Sequence, residues 1–441
     1  MAPLRSLALL ASWVALGACM CNPSAATGTS SSAAASGSGS STGSSTGSSS
    51  TGASSTGAFA ASSTGATSGS SSGTGAGSST AGTSASSSGT GTTGGSSTGS
   101  ASGTASGGSS GGGTSGGSSD GGVTVTTFGP ATLESPAGVA VTLDGNVLVC
   151  NSLSNQIDLL DTSGAATPFA GNGVMGLVDG TGGPDGTAEF DDPNGIAVDQ
   201  SGNAYVADYG NDAIRKLDQS GNVTTLAGNG IGFADGTGGP SGTAKFYGPW
   251  AVAVDSAGNV YVADSENHRV RRVDPNGNVS TVCGSGDAGD LDGTCGGTAA
   301  LDDPTGIAVD PAGNLYVCDL GTNRIRKIDP SGNATTLAGN GVAGFVDGSG
   351  GRNGTAEFAA PSGLAIDGAG NLYVADTGND AIRKVDPSGN TTTLAGNGLF
   401  GHVDGPGSSA EFDWPAAVAV DDAGVIYVGD SFNNCVRKIT Q

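Results

Sequence analysis

From residue 123 onward, short apolar runs alternate with polar turns at a regular spacing. One unit shows the full pattern, with the runs 193–198, 204–208, 213–217 and 223–227 separated by turn sequences such as Asp199-Gln200-Ser201-Gly202. These runs are rich in Val, Ile, Tyr and Thr, which is typical of strands, and Gly supplies the positive φ that tight hairpin turns need. No helical period appears, so each unit predicts a four-stranded antiparallel meander.

The unit occurs six times, and a proline begins each copy: Pro136, Pro193, Pro249, Pro304, Pro361 and Pro415. Repeated four-stranded meanders predict a β-propeller. The sixth unit stops at Gln441, directly after its third strand, whereas residues 123–129 read Val-Thr-Val-Thr-Thr-Phe-Gly and match the fourth strand of the other units. We therefore expect the 123–129 strand to complete the sixth blade and close the ring, which removes an exposed sheet edge.

These repeats resemble the NHL-repeat family over residues 123–441. The matching motifs are Pro-x-Gly-Ile-Ala-Val-Asp, Gly-Asn-x-Tyr-Val-Ala-Asp, Ile-Arg-Lys-x-Asp and Val-Thr-Thr-Leu-Ala-Gly, with an Asp-Gly…Ala-x-Phe-x-x-Pro insert at 347–361. The resemblance implies an all-β fold, a six-bladed β-propeller. It does not choose a function, because relatives include protein-interaction and RNA-binding modules, lyases and lactonase-like metal enzymes.

The N-terminus has the features of an export signal. Arg5 precedes an apolar stretch at 6–18, whose last residues form the sequence Leu16-Gly17-Ala18-Cys19 with the cysteine that follows. This resembles a bacterial lipobox and predicts a signal peptide at 1–18, lipidation of Cys19, and an outer-membrane lipoprotein facing the periplasm or the cell surface. The alternative is an ordinary signal peptide cut near Ala18, with Cys19 incidental.

Residues 19–122 consist almost wholly of Ser, Gly, Thr and Ala after the first few positions. Such a segment cannot bury enough apolar surface to offset its ordering entropy, so we expect a disordered tether. Membrane attachment is expected through the lipid anchor alone.

Charge narrows the range of partners. The net charge is −24, and every acidic residue lies at or after Asp120. This balance disfavours nucleic acid, whose phosphates would be repelled, and leaves a protein, peptide or glycan as the expected partner of a monomeric propeller.

The chain contains two histidines, His268 and His402, and they lie in different units. No cluster of His and Glu suited to a catalytic metal appears, and no nucleophile is paired with a base, so we expect a binding protein that is not an enzyme and has no cofactor. The alternative is a divalent-metal-dependent lyase or lactonase-like enzyme. A further alternative is Ca²⁺ held in the inserts, whose Asp-Gly pairs otherwise form turns. The aspartates concerned are Asp179, Asp235, Asp292, Asp347 and Asp404.

An aspartate ends the second strand of five units, and an arginine lies in the third strand of the same five. The first unit has Asn151 and Asp158 at these positions. Since the acid and the base are lost together, we expect a structural Asp–Arg pair within each blade rather than a ligand site.

Residues that break the repeat are the candidates for a site. Those flanking each proline introduce the innermost strand and should surround the mouth of the channel. Aromatic residues with polar neighbours at such a mouth suit a glycan or peptide, although local packing beneath the inserts is the alternative. The candidates are Trp250, Trp414, Tyr247, Asp192, Asp303 and Asp413.

Two cysteines also break the repeat, both in the third unit and its insert. Cys283 replaces the Ala that ends the fourth strand elsewhere, and Cys295 lies in the following insert. We expect them to form a disulfide, since export leads to an oxidising compartment. Cys150 and Cys318 replace Ala in second strands and are expected to be buried, while Cys435 is expected to be a free thiol.

Overall fold

The computed structural model describes residues 122–441, which form six antiparallel sheets arranged as the blades of a propeller. Blades one to six are numbered from their leading prolines. The predicted signal peptide, Cys19 and the tether up to residue 121 lie outside the described residues. No helix among residues 122–441 is long and apolar enough to cross a bilayer.

Each blade has four strands, counted from the axis outward. The first strands are Pro136–Val141, Pro193–Val198, Pro249–Val254, Pro304–Val309, Pro361–Ile366 and Pro415–Val420. The second strands are Val147–Asn151, Ala204–Asp208, Val260–Asp264, Leu315–Asp319, Leu372–Asp376 and Ile426–Asp430. The third strands are Gln156–Leu160, Ala213–Leu217, Arg269–Val273, Arg324–Ile328, Ala381–Val385 and Cys435–Thr440. The fourth strands are Ala166–Ala170, Val223–Ala227, Val279–Cys283, Asn333–Ala338, Thr391–Ala395 and, in blade six, Thr124–Phe128.

A single 3₁₀ turn joins the second and third strands of every blade. These turns are Ser152–Ser154, Tyr209–Asn211, Ser265–Asn267, Leu320–Thr322, Thr377–Asn379 and Ser431–Asn433. Each is followed by one residue in the left-handed region, which reverses the chain into the third strand. A seventh 3₁₀ turn, Gly407–Ser409, and two short strands, Gly293–Thr294 and Gly405–Pro406, belong to the inserts between blades.

The N-terminal strand closes the ring, which confirms the prediction. Thr124–Phe128 pairs antiparallel with Cys435–Thr440, with Val125 opposite Ile439, and is flanked on its outer side by Gly405–Pro406. Val125 is fully buried, so the closing strand contributes to the core between blades five and six.

The first strands approach closely around the axis because small residues face it. A Cβ on Gly195 would lie 2.5 Å from Cα of Ala251, and one on Gly138 would overlap the carbonyl oxygen of Asn194. The remaining channel is a cavity of about 50 Å³ lined by these first strands, and Trp250 contributes to its wall. The propeller therefore has a nearly closed axis.

An arginine lies at the centre of five blades with its side chain fully buried. In blade two, Arg215 donates to Asp208 at 2.7 Å and to Asp179 of the preceding insert at 3.0 Å. The same arrangement recurs around Arg271, Arg326, Arg383 and Arg437. This confirms the structural Asp–Arg pair, and it adds a third partner from the insert that the sequence pattern did not reveal.

The cysteines divide into one bridged pair and three free thiols. Cys283 and Cys295 are joined by a disulfide with a Cα–Cα distance of 4.5 Å. Cys150, Cys318 and Cys435 are free thiols, and all three are buried.

Candidate ligand-binding face

The propeller has two unlike faces because strand direction alternates within each blade. The first strands begin, and the second strands end, on one side, which also carries the 3₁₀ turns and the inserts; we call this side the insert face. The opposite side carries the short Asp-x-x-Gly turns, such as 199–203, and we call it the turn face.

Five inserts connect the fourth strand of one blade to the leading proline of the next, at 171–192, 228–248, 284–303, 339–360 and 396–414. Each folds over the blade that follows it, because one residue pairs with that blade's fourth strand, as Gly180 does with Val223. A turn asparagine also anchors the tip, as when Asn211 donates to the carbonyl of Gly176 at 2.8 Å.

The insert tips expose large apolar side chains on the insert face. Phe400 is 77% exposed and Leu399 61%. Further exposed side chains at these tips are Val174, Met175, Ile231, Phe233, Leu291, Val342 and Phe345. Together they form an apolar rim along blades two to six of the insert face.

Inside this rim lies an inner ring, which we define as the two residues before each leading proline together with the six 3₁₀ turns and the residue after each turn. The inner ring contains no Lys and no Arg among its described residues. Its carboxylates are Glu134, Asp191, Asp192, Asp212, Glu266, Asp302, Asp303, Asp380 and Asp413. The centre of the insert face is therefore strongly electronegative.

Hydrogen bonds between neighbouring blades hold the inner ring in place. The residue after each 3₁₀ turn accepts a bond from the backbone N–H just before the next leading proline, and Asp380 accepts such a bond from Trp414 at 3.0 Å. The other acceptors are Asn155, Asp212, His268, Asn323 and Asn434. Since all six interfaces are bridged in this way, the inner ring is a preorganised surface.

Burial raises the pKa of several inner-ring carboxyls because it disfavours their charged form. The pKa of Asp191 is raised by burial alone, and that of Asp413 by burial and then by the charge of Asp430. Asp303 has a raised pKa through burial and the neighbouring Asp302. For Asp380, burial and surrounding carboxylates raise the pKa to about 6. A positive charge brought by a ligand would relieve this unfavourable concentration of charge.

The predicted site residues all lie at this end of the blades, but the two tryptophans have separate partners. Trp250 meets the ring of Tyr209 edge to face, with centroids 5.4 Å apart. Trp414 stacks on Phe432 with centroids 5.3 Å apart. Blades three and six are opposite in the ring, so the two aromatic pairs lie on opposite sides of the insert face.

His268 has a role that its place in the repeat did not suggest. Its Nδ1 accepts a bond from the backbone N–H of Asp303 at 3.2 Å and lies 3.6 Å from Asp302 Oδ1 and 3.5 Å from Asp303 Oδ1. Ligand atoms of these three side chains lie within 4.8 Å of one another. Sequence reasoning missed this group because its members belong to adjacent blades. His402 is remote from it and contacts Thr127 at 3.0 Å.

The insert aspartates considered for calcium have protein partners. Asp179 Oδ1 accepts from Arg215 and, at 2.8 Å, from Thr225. Asp235, Asp292, Asp347 and Asp404 are engaged by the arginines of their blades in the same way. These contacts account for the five aspartates without an ion.

Comparison with known proteins agrees with this architecture. The NHL repeat model matches residues 190–217, 246–279, 301–328 and 412–439. The chain is an NHL-repeat β-propeller. Among curated relatives, it is 31% identical over 266 residues to Protein SUPPRESSOR OF QUENCHING 1, chloroplastic, of Arabidopsis thaliana, a match that covers 57% of this chain and 25% of that protein. It is 28% identical over 284 residues to human NHL repeat-containing protein 2, covering 56% of this chain and 39% of the relative.

The chain thus spans only between a quarter and two fifths of the length of these relatives. Among solved structures, an auxiliary nutrient binding protein from Bacteroides thetaiotaomicron superposes with a TM-score of 0.54 at 16% identity, covering 72% of this chain and 76% of that one. A likeness at this identity shows the shared fold alone.

Proposed function

We propose that this NHL propeller is a binding protein whose insert face takes a peptide or protein surface bearing basic and apolar side chains. One observation carries the proposal: the inner ring holds nine carboxylates and no Lys or Arg, and the apolar rim flanks it along five of the six blades. Exposed apolar patches of this kind mark interaction surfaces, and an acidic centre adds charge complementarity with a basic partner.

The aromatic pairs fit the same role. Trp250, which packs on the buried ring of Tyr209, and Trp414, which stacks on the exposed ring of Phe432, are partly exposed on either side of the acidic centre. Tryptophan and tyrosine are frequent anchors of binding energy, and their faces attract cationic side chains. A binding role also agrees with the likeness to the auxiliary nutrient binding protein, which is a likeness of fold.

The proposal is tested by screening the full chain on peptide and glycan arrays, followed by calorimetry with the best ligand. We expect ligands that combine Lys or Arg with aromatic or aliphatic residues. Their affinity should fall about tenfold between roughly 0.05 and 0.5 M salt, because charge attraction is screened. Neutral glycans as the best ligands would contradict the proposal.

Four substitutions locate the contact. Trp250→Ala uses a residue found at the equivalent position of other blades, as at Ala137, and Trp414→Gly copies Gly248. Each should weaken binding at least about fivefold, as truncation of an aromatic anchor does. Asp303→Asn and Asp413→Asn should reduce the salt dependence.

The matched control changes equal charge on the opposite side. Asp144 and Asp422 are exposed in the turns of the turn face. The pair Asp144→Asn and Asp422→Asn should leave affinity and salt dependence as they are. Equal losses from substitutions on both faces would show that overall charge, and not the insert face, attracts the ligand.

A metal-dependent enzyme of the lyase or lactonase type is the second candidate, favoured by the His268, Asp302 and Asp303 group. Its test is titration of the full chain with Zn²⁺, Mn²⁺ and Ca²⁺. The control His268→Asn keeps the acceptor found at Asn155 and Asn323, so the blade contact is retained while a ligand is lost. Stoichiometric binding abolished by this change would support a metal centre, and no binding by either chain would remove this candidate.

A further inference from the structure

Blade one differs from the other five at its centre. Asp158 pairs with Val149 across the second and third strands, in the same register as Arg215 with Val206 in blade two. Asn151 likewise occupies the position of Asp208, opposite the leading proline. Blade one therefore has a short acidic side chain where every other blade has a long basic one.

The surroundings of Arg215 show what this position normally holds. Its guanidinium donates to the Asp208 carboxylate at 2.7 Å and to the carbonyls of Glu189 at 2.8 Å and Val178 at 2.9 Å. It also lies 5.0 Å from the ring centroid of Phe190. Carboxylate, carbonyl and apolar surface together form a cradle for a planar cation.

Part of this cradle remains in blade one. The segment before its leading proline spans only residues 129–135, where other blades have a long insert. Thr132 and Leu133 stand four and three residues before Pro136, as Glu189 and Phe190 do before Pro193. Since the segment is short, it leaves the outer side of blade one open.

An open cavity of about 450 Å³ occupies this place. Its lining includes Thr132, Leu133, Gln156, Asp158 and Ala166. Asp158 in this lining occupies the position that the arginine holds in the other blades.

Two buried oxygen atoms, one on Asp158 in the cavity lining and one on Asn151, which is bonded to Asp158, have unused hydrogen-bonding capacity. Asn151 Nδ2 donates to Asp158 Oδ2 at 2.5 Å. Asn151 Oδ1 and Asp158 Oδ1 are both buried and have no hydrogen-bond partner among residues 122–441. Asn151 is only 3% exposed. Leaving such acceptors unpaired is unfavourable, so a donor supplied from outside would be stabilised there.

We propose that the pocket in blade one binds the guanidinium group of an arginine side chain presented by another molecule. A guanidinium offers a planar set of five donors, which can serve two neighbouring acceptors such as Asp158 Oδ1 and Asn151 Oδ1 together. The pocket is lined by the 129–135 segment and by blade one, and no residue of the inner ring or the apolar rim lines it. This site therefore does not depend on the proposed function of the insert face.

The test is calorimetry of the full chain with argininamide, compared with citrullinamide, which has nearly the same shape but a neutral urea group. We expect saturable binding of argininamide and no binding of citrullinamide. Asp158→Asn should weaken it about tenfold or more, as loss of a charged hydrogen-bond partner does. The control Asp144→Asn on the turn face should leave binding unchanged.

A second variant keeps the proposal testable if Asp158→Asn does not fold. The double change Asn151→Asp with Asp158→Arg installs the residue pair of the other blades, so its own guanidinium should fill the pocket and abolish argininamide binding. Thermal unfolding checks that each variant is folded. Trp250→Ala, which alters the insert face, should have no effect, so failure here is distinguishable from failure of the proposed function. Equal binding of citrullinamide, or full binding by a folded double variant, would overturn the proposal.

Discussion

A buried arginine that donates to several acceptors lies at the centre of each of five blades. Arg271 is fully buried and donates to Asp264 at 2.6 Å and to Asp235 at 2.7 Å. Two carbonyls, of Ala234 and Lys245, accept its remaining bonds. Because Arg271 contacts the second strand and two separate points of the preceding insert, it joins parts of the chain that the repeat pattern alone does not relate.

Removal of this arginine should lower the stability of the folded chain. Arg271→Met leaves the buried Asp264 carboxylate without its partner, and we expect a loss of about 3–5 kcal/mol in the free energy of unfolding. The neighbouring Arg272 is exposed, so Arg272→Met is a matched control with an expected change below about 1 kcal/mol. Denaturant unfolding measures both. Similar values for the two variants would contradict a central role for the buried ion pair.

A second residue-level prediction concerns pH. The pKa of Asp380 is raised to about 6 by burial and nearby carboxylates, so its ionised form disfavours the folded state. Asp380→Asn keeps the acceptor for Trp414, as Asn323 does for Ala360 in blade four. At pH 8 the variant should be more stable by about 1 kcal/mol, after allowance for solvent screening.

The sign of this effect defines its pH window. The folded-state pKa lies above the ordinary value of 3.8, so the gain from Asp380→Asn is full above about pH 6, declines as pH falls and disappears below the ordinary pKa. Thermal unfolding at pH 8 and pH 3.5 checks this. Asn323→Asp serves as the reverse control and should destabilise at pH 8. A gain that is the same at both pH values would show that charge is not its cause.

At the scale of elements, the inserts connect successive blades and repeat the same contacts in five of them. They cover the buried arginines, carry the apolar rim and end in the acidic inner ring. In the insert after blade three, the disulfide Cys283–Cys295 ties the end of the fourth strand to a point twelve residues later. Cys295 N–H also donates to the carbonyl of Gly332 at 2.7 Å, so the bridge links blades three and four.

Breaking this disulfide should loosen the insert. In the chain-entropy model a loop of this length contributes about 3 kcal/mol, and we expect Cys283→Ala with Cys295→Gly to lose an amount of that order. Peptide mapping of the unreduced chain checks the bond directly. Alkylation of both thiols without reductant would rule it out, while Cys150, Cys318 and Cys435 should be alkylated once the chain is unfolded.

At the scale of the whole molecule, stability depends on closure of the ring by Thr124–Phe128. Deletion of residues 123–129 would expose the edge of Cys435–Thr440 and remove the buried Val125 and Phe128. We expect a large fall in melting temperature and a tendency to aggregate through the open edge. An equal deletion at 110–116, in the Ser/Gly/Thr segment, is the control and should have little effect. Unchanged melting after the first deletion would contradict closure by this strand.

Attachment of the molecule to a membrane remains a prediction from the N-terminal sequence. Cys19→Ser should release the chain from the membrane fraction, because the lipid on Cys19 is its expected anchor. Continued membrane association of the variant would contradict the lipoprotein assignment.

The amino-acid sequence by itself determined the strands, the number of blades, the closing strand and the Asp–Arg pairs. Each of these follows from local alternation of apolar and polar residues repeated six times, so one unit predicts the others. The exception in blade one was also visible in the sequence, since Asn151 and Asp158 break the pattern together. The pocket at this place could not be predicted from the sequence, because the path of the 129–135 segment had to be known.

Tertiary structure decided which residues share a surface. His268 meets Asp302 and Asp303 only because blade three packs beside blade four, and each insert covers the blade after it rather than its own. Trp250 and Trp414, which the sequence predicted at the channel mouth, pack separately on Tyr209 and Phe432. Contacts between blades depend on loop paths, and loops lack the periodicity from which strands are predicted.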